Sequence, residues 1–313
     1  MKIVLAEKTS PAAVKIFQTE KDWTVVTADQ IKNGLAAEIA DADALIVRSA
    51  VQVDEALLAN AKKLRVVGRA GVGVDNIDTP AATKRNIIVM NTPGANAVAV
   101  AEHTILLMLA MARSLVRADV TTREGKWEKK SLMGSELRGK TLGIVGLGRI
   151  GVEVAKRAAT FGMTVLANDP AAAPELEHSM SVRLVSREQV FTTSDYITLH
   201  VALTPKTQNM IDAASIATMK KGVRIINCAR GELIVEQDLA AALQSGQVGG
   251  AALDVYCEEP PKGSPLLGCP NLIATPHIAG STTEAQEAVG TQIAHQVMDY
   301  LRKGIIVNAV NAK

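Results

Sequence analysis

The chain has 313 residues, 48% apolar and 21% charged, which fits about two globular domains and excludes a disordered chain. Aromatics are only 3%, so the core must rest on Ala, Val, Ile, Leu and Met. Lys and Arg total 34 against 32 Asp and Glu, a net charge of +2 that gives no support to a nucleic-acid or polyanion binder.

Lys2 to Ala6 reads as a short strand, with too few apolar residues for a secretory signal. Pro11 opens a helix to about Gln18, and Trp23 to Thr27, Ala44 to Val47 and Arg65 to Val67 are further strands with helical stretches between them. Strands and helices alternating at this spacing predict βαβ units and a largely parallel sheet. A helical stretch from Ala97 to about Thr122 is apolar nearly all round at its start, which predicts burial on all sides, within a domain, between domains or between subunits. Its densest apolar run, Ile105 to Ala112, has 8 residues, whereas a membrane span needs ~20. The pattern restarts after Gly139. Strands are predicted at Thr141 to Val145, Thr164 to Ala167, Tyr196 to Leu199, Arg224 to Asn227, Gly250 to Asp254 and Leu272 to Ala274, with a helix from Arg149 to Phe161. Cys228, Cys257 and Cys269 are an odd number without a C-x-x-C pair, which argues against a disulfide framework or a metal site and for a reducing, cytoplasmic setting.

The clearest motif is Gly146-Leu147-Gly148-Arg149-Ile150-Gly151, between a predicted strand and a helix, with Asp169 after the next strand. Gly146 permits the tight turn, Gly148 lets the backbone approach a pyrophosphate, and Gly151 allows close helix–strand packing. The helix N-terminus offers free N–H groups to the phosphates. Asp169 is placed to accept hydrogen bonds from the adenosine ribose and would repel a 2′-phosphate, favouring NAD over NADP.

Three later segments each end a predicted strand: Asn227 to Gly231, Asp254 to Pro260 and Thr275 to Gly280. Ligands of open α/β sheets bind at carboxyl ends of strands. Arg230, Glu259 and His277 therefore form a candidate catalytic set: a base for a hydroxyl proton, a carboxylate to orient it, and a fork for a substrate carboxylate. Taken singly, each has a bland alternative, as a loop residue, a solvated turn or a helix cap. Downstream of a dinucleotide fingerprint they carry more together.

These segments, with Gly68 to Asn76, Asn91 to Asn96 and Gly125 to Glu128, resemble the D-isomer-specific 2-hydroxyacid dehydrogenases, and among them the members that oxidise D-3-phosphoglycerate. The resemblance runs from Ile3 to Asn311. It implies two Rossmann-like or flavodoxin-like α/β domains with parallel sheets and an active site in the cleft between them. It implies a discontinuous substrate domain, residues 1–97 with 282–313, around an NAD-binding domain, 98–281. The tail Ile305 to Val307 would rejoin the first of these.

The resemblance also implies roles. Arg230 would bind the substrate carboxylate, and His277, paired with Glu259, would take the hydroxyl proton as hydride leaves C2; Glu258 would face solvent. Gly71, Val72 and Asn96 would complete the carboxylate grip. NAD contacts would include Val72, Arg149, Ile150, Asp169, Val201, Cys228, Ala229, Arg230, Asp254 and the turn His277, Ile278, Ala279 and Gly280. Arg48 and Arg69, at strand ends of the N-terminal half, match phosphate-binding positions, with local surface salt bridges as the alternative reading. Lys129 and Lys130 stand where some members carry an Arg that reaches the partner subunit. The helix from Ala97 would lie in a homodimer interface, and a chain ending at Lys313 would be the catalytic unit without C-terminal regulatory domains. The alternatives are a glyoxylate or hydroxypyruvate reductase and, in another class, an NAD-sensing corepressor-like scaffold.

Overall fold

The computed structural model describes residues 1–172 and 181–312. The chain divides into two compact units, residues 1–96 with 280–313 and residues 97–279.

In the first unit, β1 (Lys2–Leu5), β2 (Thr24–Val26), β3 (Ala44–Val47), β4 (Val66–Arg69) and β5 (Ile88–Met90) form a parallel sheet in the order β2-β1-β3-β4-β5. Side chains alternate between its faces. Ile3, Leu5, Ala44, Ile46 and Val66 pack with Phe17 of the helix Pro11–Gln18 and with the final helix, Thr283–Lys303. Val4, Leu45, Val47, Val67 and Val89 pack on the other side with Leu58 and Ala81.

The final helix begins at Thr282, whose side chain accepts the Ala285 N–H, and ends at Gly304 in the left-handed region. Ala285, Val289, Ile293, Val297 and Leu301 recur every fourth residue and are all buried. A Cβ at Gly68 would lie 2.8 Å from Ile293 and 3.0 Å from Val297, so the glycine lets this helix press onto β4. Each fully buried Val, Ile or Leu contributes roughly 1.5–3 kcal/mol. The tail is stitched on by Asn308 to Asn311: Ala309 bridges Met90, and Val89 donates to Asn311 Oδ1 at 2.8 Å. Ile305, Ile306 and Val307, the tail expected to rejoin this unit, belong to it, with their side chains exposed.

In the second unit, β6 (Thr141–Val145), β7 (Thr164–Asn168), β8 (Val182–Leu184), β9 (Tyr196–Leu199), β10 (Val223–Asn227), β11 (Val248–Leu253) and β12 (Leu272–Ala274) run parallel in the order β12-β11-β10-β9-β6-β7-β8. The first strand, β6, therefore lies inside the sheet, and chain progression reverses between β6 and β9. Helices Ala97–Ala112 and Arg149–Thr160 cover one face, and Arg187–Thr193, Ala213–Thr218 and Glu236–Ser245 the other. This is the parallel α/β architecture expected from the alternating pattern.

One expected element differs. The stretch from Ala97 to about Thr122 is two helices, Ala97–Ala112 and Leu115–Arg123, bent by 62°. Ser114, at φ 48°, adopts the left-handed conformation between them. Val98 and Leu106 are 50% and 53% exposed, because the stripe Val98, Glu102, Leu106 faces away from the unit's own core. Among the described residues no single helix is long and apolar enough to cross a membrane.

Candidate active site

The β6 turn is built for a close approach. Gly146 has φ 95°, and a Cβ there would lie 2.5 Å from the His200 carbonyl oxygen. A Cβ at Gly151 would lie 2.2 Å from the Gly146 carbonyl oxygen, so this glycine seats the helix Arg149–Thr160 against the turn. Gly148 is different: it is exposed, and nothing lies within 4 Å of where its Cβ would stand. Open space above a helix N-terminus is a cradle that a side chain would fill, and it fits the pyrophosphate of a dinucleotide. Asp169 follows β7; its Oδ2 accepts the Leu147 N–H at 2.8 Å and its Oδ1 the Ala171 N–H at 2.9 Å. The carboxylate is thus fixed to the glycine-rich turn while keeping acceptor capacity for a ribose. Arg149 is exposed on the first helical turn, and Ile150 and Val201 are partly buried against the two cores of the unit.

Across the order reversal, β10 ends in Asn227, which is fully buried. Its Oδ1 accepts the Ala229 N–H at 3.0 Å and its Nδ2 donates to the Arg230 carbonyl at 2.7 Å, so one amide shapes the Cys228–Arg230 turn. Burial, reinforced by the Asp254 charge, pushes the Cys228 thiol up to about 12, leaving it a neutral small hydrophobe. Arg230 Nη1 donates to the Ala229 carbonyl at 2.6 Å.

Asp254, after β11, is also fully buried. It accepts the Thr275 hydroxyl at 2.5 Å, the Ile278 N–H at 2.9 Å and the Ala279 N–H at 2.8 Å, and it stands 3.7 Å from His103 Nε2. These bonds grip the turn on both sides of His277, which has φ 55°. His277 Nδ1 lies 2.7 Å from Glu259 Oε2, while Glu259 Oε1 accepts the Tyr256 N–H at 3.2 Å. A carboxylate oxygen accepts, so Nδ1–H donates in this contact, which leaves Nε2 outside it. The Tyr256 hydroxyl donates to the carbonyls of Leu253 and Thr275, tying the β11 and β12 ends together. Its pKa is pushed up to about 12 by burial and by the Asp254 charge. Arg230, Glu259 and His277 thus follow three adjacent strands, with Glu259 and His277 in direct contact. Glu258 is exposed.

In the first unit, Arg48 follows β3, and Arg69 ends the neighbouring β4. The Arg69 guanidinium lies over Gly71, where a Cβ would come 2.0 Å from its Nη1. The Thr92 N–H donates to the Gly71 carbonyl at 2.9 Å and Asn91 Nδ2 to the Val72 carbonyl at 2.6 Å, which orients the Gly71–Val72 backbone. Asn96 has a buried Oδ1 without a hydrogen-bond partner, and a Cβ at Gly280 would lie 2.9 Å from its Nδ2. Lys129 and Lys130 are exposed beyond the helix Leu115–Arg123, where Glu128 pairs with Arg117 at 2.6 Å.

Sequence reading did not single out Asn227 or Tyr256 as organisers of these turns. The one local signal was a polar residue closing the apolar run of β10.

Comparison with known proteins bears on these features. The family profile described as "D-isomer specific 2-hydroxyacid dehydrogenase, NAD binding domain" matches residues 105–279. The chain is 47% identical to "D-3-phosphoglycerate dehydrogenase" of Methanocaldococcus jannaschii over 99% of its own length and 59% of that protein. It is 44% identical to the protein of that name from Homo sapiens over 100% of its own length and 58% of that protein. The chain therefore spans a little under three fifths of these relatives. The solved structure of a glyoxylate reductase from Paecilomyes thermophila superposes with a TM-score of 0.87 at 31% identity, covering 99% of this chain and 98% of that one.

Proposed function

The chain belongs to the D-isomer specific 2-hydroxyacid dehydrogenase family, and from that premise we propose that it oxidises D-3-phosphoglycerate to 3-phosphohydroxypyruvate with NAD. The observation that carries the reaction is the contact of His277 Nδ1 with Glu259 Oε2 at 2.7 Å. It supports His277 Nε2 as the group that takes the C2 hydroxyl proton, with Glu259 stabilising the imidazolium that forms. Arg230 is assigned to the substrate carboxylate as a fork, and the Gly71–Val72 backbone and Asn96 of the first unit are also assigned to substrate. NAD, when bound, accepts the hydride and its electron pair from C2. Gly148, Arg149 and Ile150 would hold its pyrophosphate on the turn that Gly146 and Gly151 shape, and Asp169 would hold its ribose. Val72, Val201, Cys228, Ala229, Asp254, Ile278, Ala279 and Gly280 line the remainder. Asp254 keeps the His277 turn in place.

Arg48 and Arg69 are assigned to the substrate phosphate. The names of the relatives at 44–47% identity support that choice. The test is NADH formation with D-3-phosphoglycerate and NADH consumption with 3-phosphohydroxypyruvate. No turnover in either direction defeats the assignment. The likeness to a glyoxylate reductase favours a second reading, under which glyoxylate and hydroxypyruvate would be reduced with higher kcat/KM than the phosphorylated acid. We also assign the apolar stripe of the helices Ala97–Ala112 and Leu115–Arg123 to a homodimer interface. The three cysteines, all unpaired, support a reducing, cytoplasmic setting.

A further inference from the structure

We infer that Asn76 is a positioning residue that fixes Arg48 and Arg69 relative to one another and thereby sets a preference for a phosphorylated over an unphosphorylated acid; this rests on the substrate reading above. The parallel register of β3 and β4 sets Val47 opposite Arg69, so the two arginines leave neighbouring strands one residue apart in register. Register alone does not fix their heads, because an arginine side chain has several rotatable bonds. Asn76, 9% exposed, ties the Arg48 backbone to the Arg69 side chain, adding to the bonds of Arg48 Nη1 to the Lys8 carbonyl at 3.3 Å and of Arg69 Nη1 to the Ala70 carbonyl at 2.7 Å. Its Nδ2 donates to the Arg48 carbonyl at 2.9 Å and to the Val51 carbonyl at 2.7 Å, and its Oδ1 accepts from Arg69 Nε at 3.4 Å. The amide's two hydrogens and its oxygen are all engaged, and they join the Arg48 loop to the Arg69 guanidinium.

Glu7 closes the same loop from the other side. Its carboxylate accepts the N–H groups of Arg48 at 2.6 Å, Ala50 at 3.1 Å and Val51 at 3.3 Å. Carbonyls held by Asn76 and N–H groups held by Glu7 leave the 48–51 loop little freedom. A cavity of about 420 Å³, lined in part by Arg48, Lys8, Thr9, Ala70 and Thr282, opens beside this frame. A phosphate dianion gains more from two guanidinium groups when their spacing is set before it arrives. An unphosphorylated acid places no group there and is indifferent to that spacing.

The test is a set of double-mutant cycles read with NADH and two acids of one skeleton, 3-phosphohydroxypyruvate and hydroxypyruvate. Asn76→Ala is expected to raise KM for the phosphorylated acid about tenfold, with kcat and the KM for hydroxypyruvate within about twofold. Added to Arg48→Ala or to Arg69→Ala, it is expected to raise KM by no more than about twofold further. Glu7→Gln, which touches only the Arg48 loop, is expected to couple with Arg48→Ala and to be additive with Arg69→Ala. Asn76→Asp, of the same shape, keeps an acceptor for Arg69 but turns an oxygen toward two carbonyls; it is expected to show the same selective loss, even if the alanine variant folds poorly. Equal KM increases for both acids, or additivity of Asn76→Ala with both arginine variants, overturns the inference while leaving the substrate reading intact. A wild-type enzyme with no preference for the phosphorylated acid overturns the substrate reading and this inference together.

Discussion

His277 holds an unusual backbone conformation, and buried Asp254 grips the turn on both sides of it. The proposed acid–base pair is therefore oriented by the chain itself, and such preorganisation is where much of the rate of such chemistry would originate. Glu259→Gln keeps an acceptor for the Tyr256 N–H but removes the charge facing the imidazole. It is expected to lower kcat by about 10²-fold or more, with NADH affinity, read by fluorescence titration, unchanged within about twofold. His200 offers a second test, of stability. Its Nδ1 is closed off from solvent without a partner and its Nε2 meets the Thr198 hydroxyl at 3.0 Å. Burial pushes its pKa down from 6.5 to about 4. Between those values the unfolded chain binds a proton that the folded chain does not, so this contribution is complete above pH ~6.5 and falls as pH drops toward ~4. Urea denaturation across that range should show wild type losing about 3 kcal/mol more than a His200→Asn variant. A pH profile shared by the two proteins would contradict it.

At the scale of elements, the three glycines of the β6 turn separate by what each contacts. Gly148→Ala projects a methyl into open space, so the melting temperature should stay within about 2 °C while NADH affinity falls more than about tenfold. Gly151→Ala drives a methyl onto the Gly146 carbonyl and should destabilise the protein by about 2 kcal/mol or more, seen as a lower denaturation midpoint. This turn was legible in the sequence because a strand, three glycines and an acid at fixed spacing are local requirements. The grip on the His277 turn was not, because Asp254 meets Thr275, Ile278 and Ala279 only once β11 and β12 pair. The same holds for Asn76, which reaches back to Arg48 and Val51. The break at Ser114 also escaped, since nothing nearby carries a Gly or Pro stop signal.

For the whole molecule, the exposed apolar stripe is the feature that a single chain leaves unexplained. Val98 and Leu106 stand half exposed on one helix, and Leu115, Val116 and Val120 on the next. Monomers rarely leave such a surface open. Leu106→Asp combined with Val116→Asp should weaken self-association at least about a hundredfold in sedimentation experiments. A wild type that sediments as a monomer would remove the dimer from the proposal.

The first unit is assembled from both ends of the chain, and this orders events on the ribosome. All five strands of its sheet have been made by Met90, but Val289, Ile293, Val297 and Leu301, which cover Ile3, Leu5, Ile46 and Val66, follow only after the whole of the second unit. At ~5–20 residues per second, that face waits roughly ten to forty seconds for its helix. The usual N-terminal-first order of domain folding is thus inverted: the contiguous second unit can close while the unit that began the chain is still an open sheet. During that interval, the nascent chain offers an apolar surface that a chaperone would recognise and the finished protein conceals.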